Sequence, residues 1–180
     1  MSFDSKQDVK SLNARAAAIR LLVLDVDGVL TDGRLYFTAH GEEMKCFHVR
    51  DGAGIVQLLR GGVQVAVISG RDSPAVTRRM SELGVTYIRQ GVNDKLAVLQ
   101  ELLGILNLEP SVVACMGDDS ADVPIMQIAQ LSITVPDAHT SAKECAHVVT
   151  QASGGLGAVR EACDLILAAR APVLKQAGAA

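Results

Sequence analysis

Tryptophan is absent from this 180-residue sequence, and aromatic residues of every kind make up only 3% of it. Stacking platforms for bases and aromatic cages for cationic ligands are therefore poorly supported. An excess of charge is missing as well: 17 basic side chains against 20 acidic ones leave a formal net charge of −3. That balance excludes a strongly basic groove for nucleic acid and a polybasic membrane patch. The four cysteines, Cys46, Cys115, Cys145 and Cys163, form no C-x-x-C pair, which argues against a disulfide framework or a zinc knuckle. Cys115, inside the apolar run 112–116, reads as a small buried hydrophobe. No stretch approaches the roughly 18 to 20 apolar residues that span a bilayer. The polar, partly acidic residues 1–8 do not resemble a secretory leader. The expected setting is a reducing cytoplasm, with neither nucleic acid nor membrane as a partner.

What remains is an aliphatic chain, 49% hydrophobic and 21% charged, with the material for one packed domain over residues 1–180. Short runs rich in Val, Ile and Leu occupy residues 19–24, 63–68, 86–88, 112–116 and 131–135. Runs without polar alternation suit strands buried on both faces of a parallel sheet. Helical patterns lie between and after them. Residues 73–83 open on Ser73 and Pro74 and stop before Gly84. Residues 95–106 repeat leucine at helical spacing, and residues 121–129 and 157–169 complete the set. This alternation predicts an α/β fold with a single doubly wound, mostly parallel sheet. Two short runs around a turn glycine, within residues 33–48, predict a projecting β-hairpin. Residues 1–11 and 171–180 read as loose ends, the latter a flexible tail.

In such sheets ligands bind beyond the carboxyl ends of the strands. The first run is followed by Asp25-Val26-Asp27-Gly28, the second by Ser69-Gly70-Arg71-Asp72, and the fourth by Gly117-Asp118-Asp119-Ser120-Ala121-Asp122. Lys95 opens the helix after the third. Carboxylates, a hydroxyl, a lysine and backbone amides on one rim suit a cation and a phosphate together. Hard carboxylate oxygens suit Mg²⁺, which shares phosphate oxygens with its substrate. Of the pair Asp25 and Asp27, one carboxylate can attack phosphorus while the other moves protons for the leaving oxygen and the hydrolytic water. Ser69, the Gly70 amide and Lys95 can hold the non-bridging oxygens.

Each residue also has an ordinary reading. Asp119 or Ser120 can cap the helix near Ala121, Asp122 can be a solvated first-turn carboxylate, and Asp32 a turn residue. Lys95 alone would be a surface lysine. Arg50 can be a solvated arginine beside an Asp51 that caps the next helix. Gly154-Gly155-Leu156-Gly157 follows no buried strand with an acidic partner, so it is a flexible glycine loop rather than a dinucleotide fingerprint. The four histidines show no ligand spacing. A signalling receiver module also gathers aspartates, a hydroxyl and a lysine, but it keeps its acidic pair and its acceptor on different strands. A scaffold with a dead site would not retain Asp25, Asp27, Ser69, Lys95 and Asp118 together.

Taken in order, these segments resemble the four motifs of the haloacid dehalogenase superfamily of phosphatases. Asp25 to Thr31 matches the first, Ser69 the second, Lys95 the third and Gly117 to Asp122 the fourth. The resemblance implies Asp25 as nucleophile, Asp27 as general acid/base, and Mg²⁺ held by Asp25, the Asp27 backbone carbonyl and Asp118, with Asp119 and Asp122 behind them. Thr31-Asp32-Gly33, Phe47 to Gly52, Ser69 to Ser73 and Gly154 to Glu161 are similar to the family of 3-deoxy-D-manno-octulosonate 8-phosphate phosphatases, over roughly residues 19–169. That narrower resemblance implies a cap-less phosphatase of lipopolysaccharide precursor synthesis. It also implies a homotetramer whose hairpins assemble centrally and whose neighbouring subunits help close each site. His48, Val49, Arg50, Asp51, Gly52, Arg71, Arg79 and Lys95 would contact the sugar-acid phosphate. The segment from Gly154 and the C-terminal tail would reach an adjacent site. A phosphatase for a nine-carbon keto sugar acid phosphate, or one of broad specificity, is the nearest alternative.

Overall fold

The structure, a computed structural model, describes residues 6–177. Its centre is a six-stranded, all-parallel sheet. In chain order the strands are β1 (Leu21–Leu24), β4 (Gln64–Ile68), β5 (Tyr87–Arg89), β6 (Val113–Met116), β7 (Leu131–Thr134) and β8 (Val148–Val149). The spatial order is β5-β4-β1-β6-β7-β8. The five expected strands all form, and β1, β6 and β7 are buried at every residue. Their unbroken apolar runs reflect helices covering both faces of the sheet. A separate antiparallel pair, β2 (Tyr36–Phe37) and β3 (Glu43–Met44), makes the projecting hairpin, shorter than the two runs that predicted it.

The helices are α1 (Lys6–Ala17), α2 (Val49–Arg60), α3 (Pro74–Glu82), α4 (Lys95–Leu106), α5 (Val123–Ile128), α6 (Thr140–Cys145) and α7 (Ala158–Ala177). α1, α2 and α7 pack together, while α4, α5 and α6 form a second group. Right-handed crossovers of a doubly wound sheet put such groups on opposite faces.

Several expectations about the ends and loops are corrected. Residues 6–11 are not loose. They begin α1, whose Leu12 and fully buried Ala16 anchor it to the core, and residues 1–5 lie outside the described residues. The tail expected from 171 is helical through Ala177, α7 continuing past Pro172; residues 178–180 lie outside the described residues. Residues 49–52 are the first turn of α2, and His48 rather than Asp51 is its N-cap, accepting from the Arg50 amide. The segment 121–129 splits into a 3₁₀ turn, Ser120–Asp122, and the six-residue α5, which opens on Val123-Pro124. α6 and β8 have no counterpart among the expected elements.

The glycine loop is not free either. A Cβ on Gly154 would lie 1.8 Å from the Gly28 carbonyl oxygen, and one on Gly155 would lie 2.6 Å from the Asp32 amide nitrogen. The Gly155 amide donates to the Val29 carbonyl at 3.0 Å. Only residues without a side chain let two backbones approach this closely. The start of the α7 segment is thereby pressed onto the loop that follows β1.

Candidate active site

Successive strands run outward from β1 to β4 and β5, then the chain returns to lay β6 on the other side of β1. The crevice at this switch point is where open α/β sheets bind ligands. Asp25 follows β1 and Asp118 follows β6, so the register Leu24↔Met116 delivers the two carboxylates side by side. An open cleft of about 200 Å³ results, lined by Asp25, Asp27, Ser69, Gly70, Arg71, Lys95, Asp118, Asp119, Ala121 and Asp122. The eight residues expected to act on phosphate and metal, Asp25, Asp27, Ser69, Gly70, Lys95, Asp118, Asp119 and Asp122, thus meet on one rim, and Arg71, expected at the substrate, joins them.

Local structure fixes each of them. Asp94 caps α4 by accepting from the Ala97 amide at 3.0 Å, a device worth ~0.5–2 kcal/mol. Lys95 is therefore the first helical residue and stays close to the sheet. Its Nζ lies 2.8 Å from Asp25 Oδ1 and 2.6 Å from Asp122 Oδ1. The second oxygen of Asp122 accepts from the Asp118 and Asp119 amides at 3.1 and 3.2 Å. Asp122 is 1% exposed, so the solvated reading of this residue is overturned. Asp119 does cap the 3₁₀ turn, in a reciprocal box with Asp122. Asp32 accepts from the Arg34 amide and the Tyr36 hydroxyl, which is a turn role.

The electrostatics describe a site short of positive charge. Burial, reinforced by the Asp122 carboxylate and only partly offset by Lys95, pushes Asp25 up to about 6. Burial, together with the charges of Asp25, Asp122 and Asp119, pushes Asp118 up to about 7. Burial alone would lower the Lys95 pKa, but Asp25 and Asp122 outweigh it and hold it above the ordinary lysine value. Oxygens of Asp25, Asp118 and Asp122 lie within 4.8 Å of one another. A Cβ on Gly28 would lie 2.1 Å from Asp118 Oδ2, so glycine keeps that carboxylate's position open. Hard oxygen donors at this spacing, two of them with raised pKa values, fit a divalent cation such as Mg²⁺.

The remaining expected residues stand elsewhere. His48, Asp51, Gly52 and Arg79 line a second, narrower recess with Leu30, Phe47, Ile55, Met80 and Leu83. Asp51 is 1% exposed, and its Oδ1 accepts from the Arg160 amide at 2.8 Å, which ties α2 to the first turn of α7. Burial raises its pKa in spite of that bond. The Arg79 guanidinium lies over Gly52, where a Cβ would approach Nη2 to 2.4 Å. Val49 and Arg50 are exposed at the start of α2. Two residues not expected from sequence do reach the cleft side: Lys45 pairs with Asp27, and Glu43 pairs with Arg71. A lysine and a glutamate in a short hairpin carry no local mark of this placement.

A crevice at the switch point of a parallel sheet, with paired aspartates after the first strand and a buried lysine beside them, suits a phosphate group and a cation together. The profile of haloacid dehalogenase-like hydrolases matches residues 86–161. The chain is 49% identical over 156 residues to the 3-deoxy-D-manno-octulosonate 8-phosphate phosphatase KdsC of Yersinia pestis, covering 87% of this chain and 83% of that one. It is 48% identical to KdsC of Escherichia coli strain K12, over 87% of this chain and 84% of that one. Among solved structures, the 3-deoxy-D-manno-octulosonate 8-phosphate phosphatase of Moraxella catarrhalis, in complex with magnesium, phosphate and a KDO molecule, superposes with a TM-score of 0.89. It is 38% identical and covers 94% of this chain and 98% of that one. The chain belongs to the haloacid dehalogenase-like hydrolases.

Proposed function

We propose that this enzyme is a magnesium-dependent phosphatase that hydrolyses 3-deoxy-D-manno-octulosonate 8-phosphate to the free sugar acid and phosphate, as its named relatives do. The observation that carries the reading is the convergence of Asp25, Asp118 and Lys95 in one open cleft, in a chain about half identical to KdsC. Asp25 is the nucleophile. Its carboxylate attacks phosphorus, the bond from phosphorus to the ester oxygen breaks, and Asp27 gives that oxygen a proton. Asp27 then takes a proton from the water that attacks the aspartyl phosphate, and Asp25 is regenerated as phosphate departs.

Ser69, the Gly70 amide and Lys95 hold the non-bridging oxygens. Lys95, bound to both Asp25 and Asp122, is in place before substrate arrives. Asp25, the Asp27 carbonyl and Asp118 hold Mg²⁺, which when bound draws off charge from the phosphoryl oxygens. Using the carbonyl of Asp27 leaves its side chain free to move protons. Asp122 and Asp119 hold the loop that presents Asp118.

The substrate carries a carboxylate besides its phosphate, and Arg71 supplies a guanidinium at the cleft for it. About 200 Å³ is less than the ~300–1,000 Å³ of ordinary ligand pockets, which supports completion of the site by a neighbouring subunit. Five of the large exposed apolar side chains, Leu35, Tyr36, Phe37, Met44 and Val49, cluster on the hairpin or just after it, while Ile105, Ile128, Val149 and Leu156 lie in other elements. Such a patch marks an interface, and it supports a homotetramer joined through its hairpins. Of the residues that stand away from their own cleft, His48, Val49, Arg50 and Arg79 have exposed surface and then belong to the contact with the neighbour's substrate, while the buried Asp51 and Gly52 hold the start of α2 in place for them. The pathway is lipopolysaccharide precursor synthesis in the cytoplasm.

The test is phosphate release from a panel of sugar phosphates, including eight- and nine-carbon keto sugar acids, with Mg²⁺ and with chelator. The eight-carbon acid should be hydrolysed with the highest kcat/KM, and only with the metal. Asp25→Asn should lose at least roughly a thousandfold in turnover, as expected when a nucleophile is removed. Undiminished turnover by that variant overturns the mechanism.

A further inference from the structure

The hairpin reaches the cleft through one buried cation. Lys45, the residue after β3, has a side chain only 2% exposed, and its Nζ is paired with Asp27 Oδ1. The same Nζ lies 3.4 Å from Glu43 Oε1. Glu43 Oε1 in turn accepts from Arg71 Nη2 at 2.7 Å, and Arg71 Nε lies 3.5 Å from Asp27 Oδ2. Asp27, Lys45, Glu43 and Arg71 thus close a ring of alternating charge. A buried ammonium without partners is costly, and pairing at this quality is what makes it tolerable. Both oxygens of Asp27 face a cation of the ring, one from the hairpin and one from the loop after β4.

We propose that Lys45 is a positioning residue for Asp27, fixing the carboxyl group that delivers the proton to the departing ester oxygen. The inference rests on the phosphatase reading. When phosphorus passes to Asp25, the electron pair of the broken bond goes to the ester oxygen, which takes the proton of Asp27. Asp27 is left as a carboxylate, and Lys45 and Arg71 are already in place to receive that charge. Lys45 therefore acts by holding the Asp27 carboxyl group in one orientation toward the departing oxygen, a contribution of geometry. Neither the metal carboxylates Asp25 and Asp118 nor Lys95 touches Lys45, so its contribution is separable from theirs.

The test compares two esters in a single turnover of the full chain with Mg²⁺ bound. One is a sugar phosphate, whose alcohol cannot leave without a proton. The other is 4-nitrophenyl phosphate, whose phenolate leaves without one. Misplacing a general acid forfeits part of its usual ~10²–10⁴-fold effect. K45M should therefore slow release of the sugar at least tenfold while slowing the first release of nitrophenolate less than threefold. K45R should recover most of the loss, and E43Q should shift the two esters in the same unequal way to a smaller degree. Melting temperature and Mg²⁺ affinity of K45M should stay near those of the wild type. Equal slowing of both esters, or no slowing of either, overturns the proposal. A K45M protein that does not fold leaves K45R and E43Q to decide by the same ratio, and equal ratios there overturn it too. A wild type inert toward both esters overturns the phosphatase reading itself, a result visible before any variant is compared.

Discussion

Asp122 Oδ1 lies 2.6 Å from Lys95 Nζ, while the other oxygen of the same carboxylate gathers the backbone amides of Asp118 and Asp119. One buried side chain thus joins Lys95 to the loop that presents Asp118. A Cβ on Gly117 would lie 2.3 Å from the Asp122 Cβ, so the glycine is what allows that side chain to lie so close to the strand end.

Replacing Asp122 by asparagine removes the charge and keeps the shape. Lys95 retains Asp25 as its partner, but the loop amides lose a charge-assisted acceptor. Outer partners of metal ligands typically contribute about 10–100-fold to affinity or activity, and Asp122→Asn should lose within that range in kcat and in Mg²⁺ affinity together. Steady-state kinetics over a Mg²⁺ titration measure both. An unchanged Mg²⁺ dependence would detach Asp122 from the metal site.

Asp25 and Asp118 carry raised pKa values, about 6 and about 7 against an ordinary 3.8. Between the ordinary value and these raised ones the folded chain binds more protons than the unfolded chain. Without metal, this pair therefore makes stability fall as pH rises from about 4 to about 7. Asp51, also raised by burial, adds to that trend, and Asp32 and Glu43, with lowered values, lose their contribution only below the ordinary carboxylate range, so the readout is a difference. Melting temperatures with chelator should fall further between pH 5 and pH 7.5 for the wild type than for Asp118→Asn. Saturating Mg²⁺ should remove that gap, because the ion supplies the missing positive charge. A wild type that loses no more than the variant refutes the account.

The backbone contact of Gly154 with Gly28 leaves no room for a methyl group. Gly154→Ala should cost at least about 3 kcal/mol, the upper end of overpacking penalties. For a domain of this size that is a drop in Tm of about 6–12 °C. Activity should fall as well, because the strain is delivered to the loop carrying Asp27. Differential scanning fluorimetry and phosphate release measure the two effects. A variant with wild-type Tm would mean that the two loops separate freely.

Phe37 is 58% exposed at the hairpin. Phe37→Glu places a charge in the proposed interface and should lower the assembly's mass toward the 18.9 kDa of one chain. Light scattering after size-exclusion chromatography reads that mass. Thermal unfolding of the separated subunit should remain cooperative, since the residue touches no core. An unchanged mass would remove the hairpin from the interface.

The central strands and the motif aspartates were legible in the sequence for one reason: both are local. A strand buried on two faces must be apolar at every position, as 21–24 and 113–116 are, and a carboxylate directly after it must stand on the rim. What escaped depends on partners distant in the chain. Lys45 looks like any hairpin lysine until Asp27 is placed beside it. Asp122 reads as a first-turn carboxylate until α4 brings Lys95 to it. Gly154 and Gly155 suggest looseness, whereas the opposing backbone of Gly28 to Asp32 makes them a point of tight packing. Helix α1 escaped because its anchors, Leu12 and Ala16, sit among polar residues that are themselves indifferent to burial.

The seating of Gly154 and Gly155 on the loop after β1 also has a temporal side. Asp25 and the loop after it are synthesised well before the Gly154–Gly155 segment that braces them. Contacts of such long sequence separation form late, because the loop closure they require precedes any reward. A chain synthesised through all four motifs but not yet through Gly154 and Gly155 therefore still lacks the brace on the loop after β1.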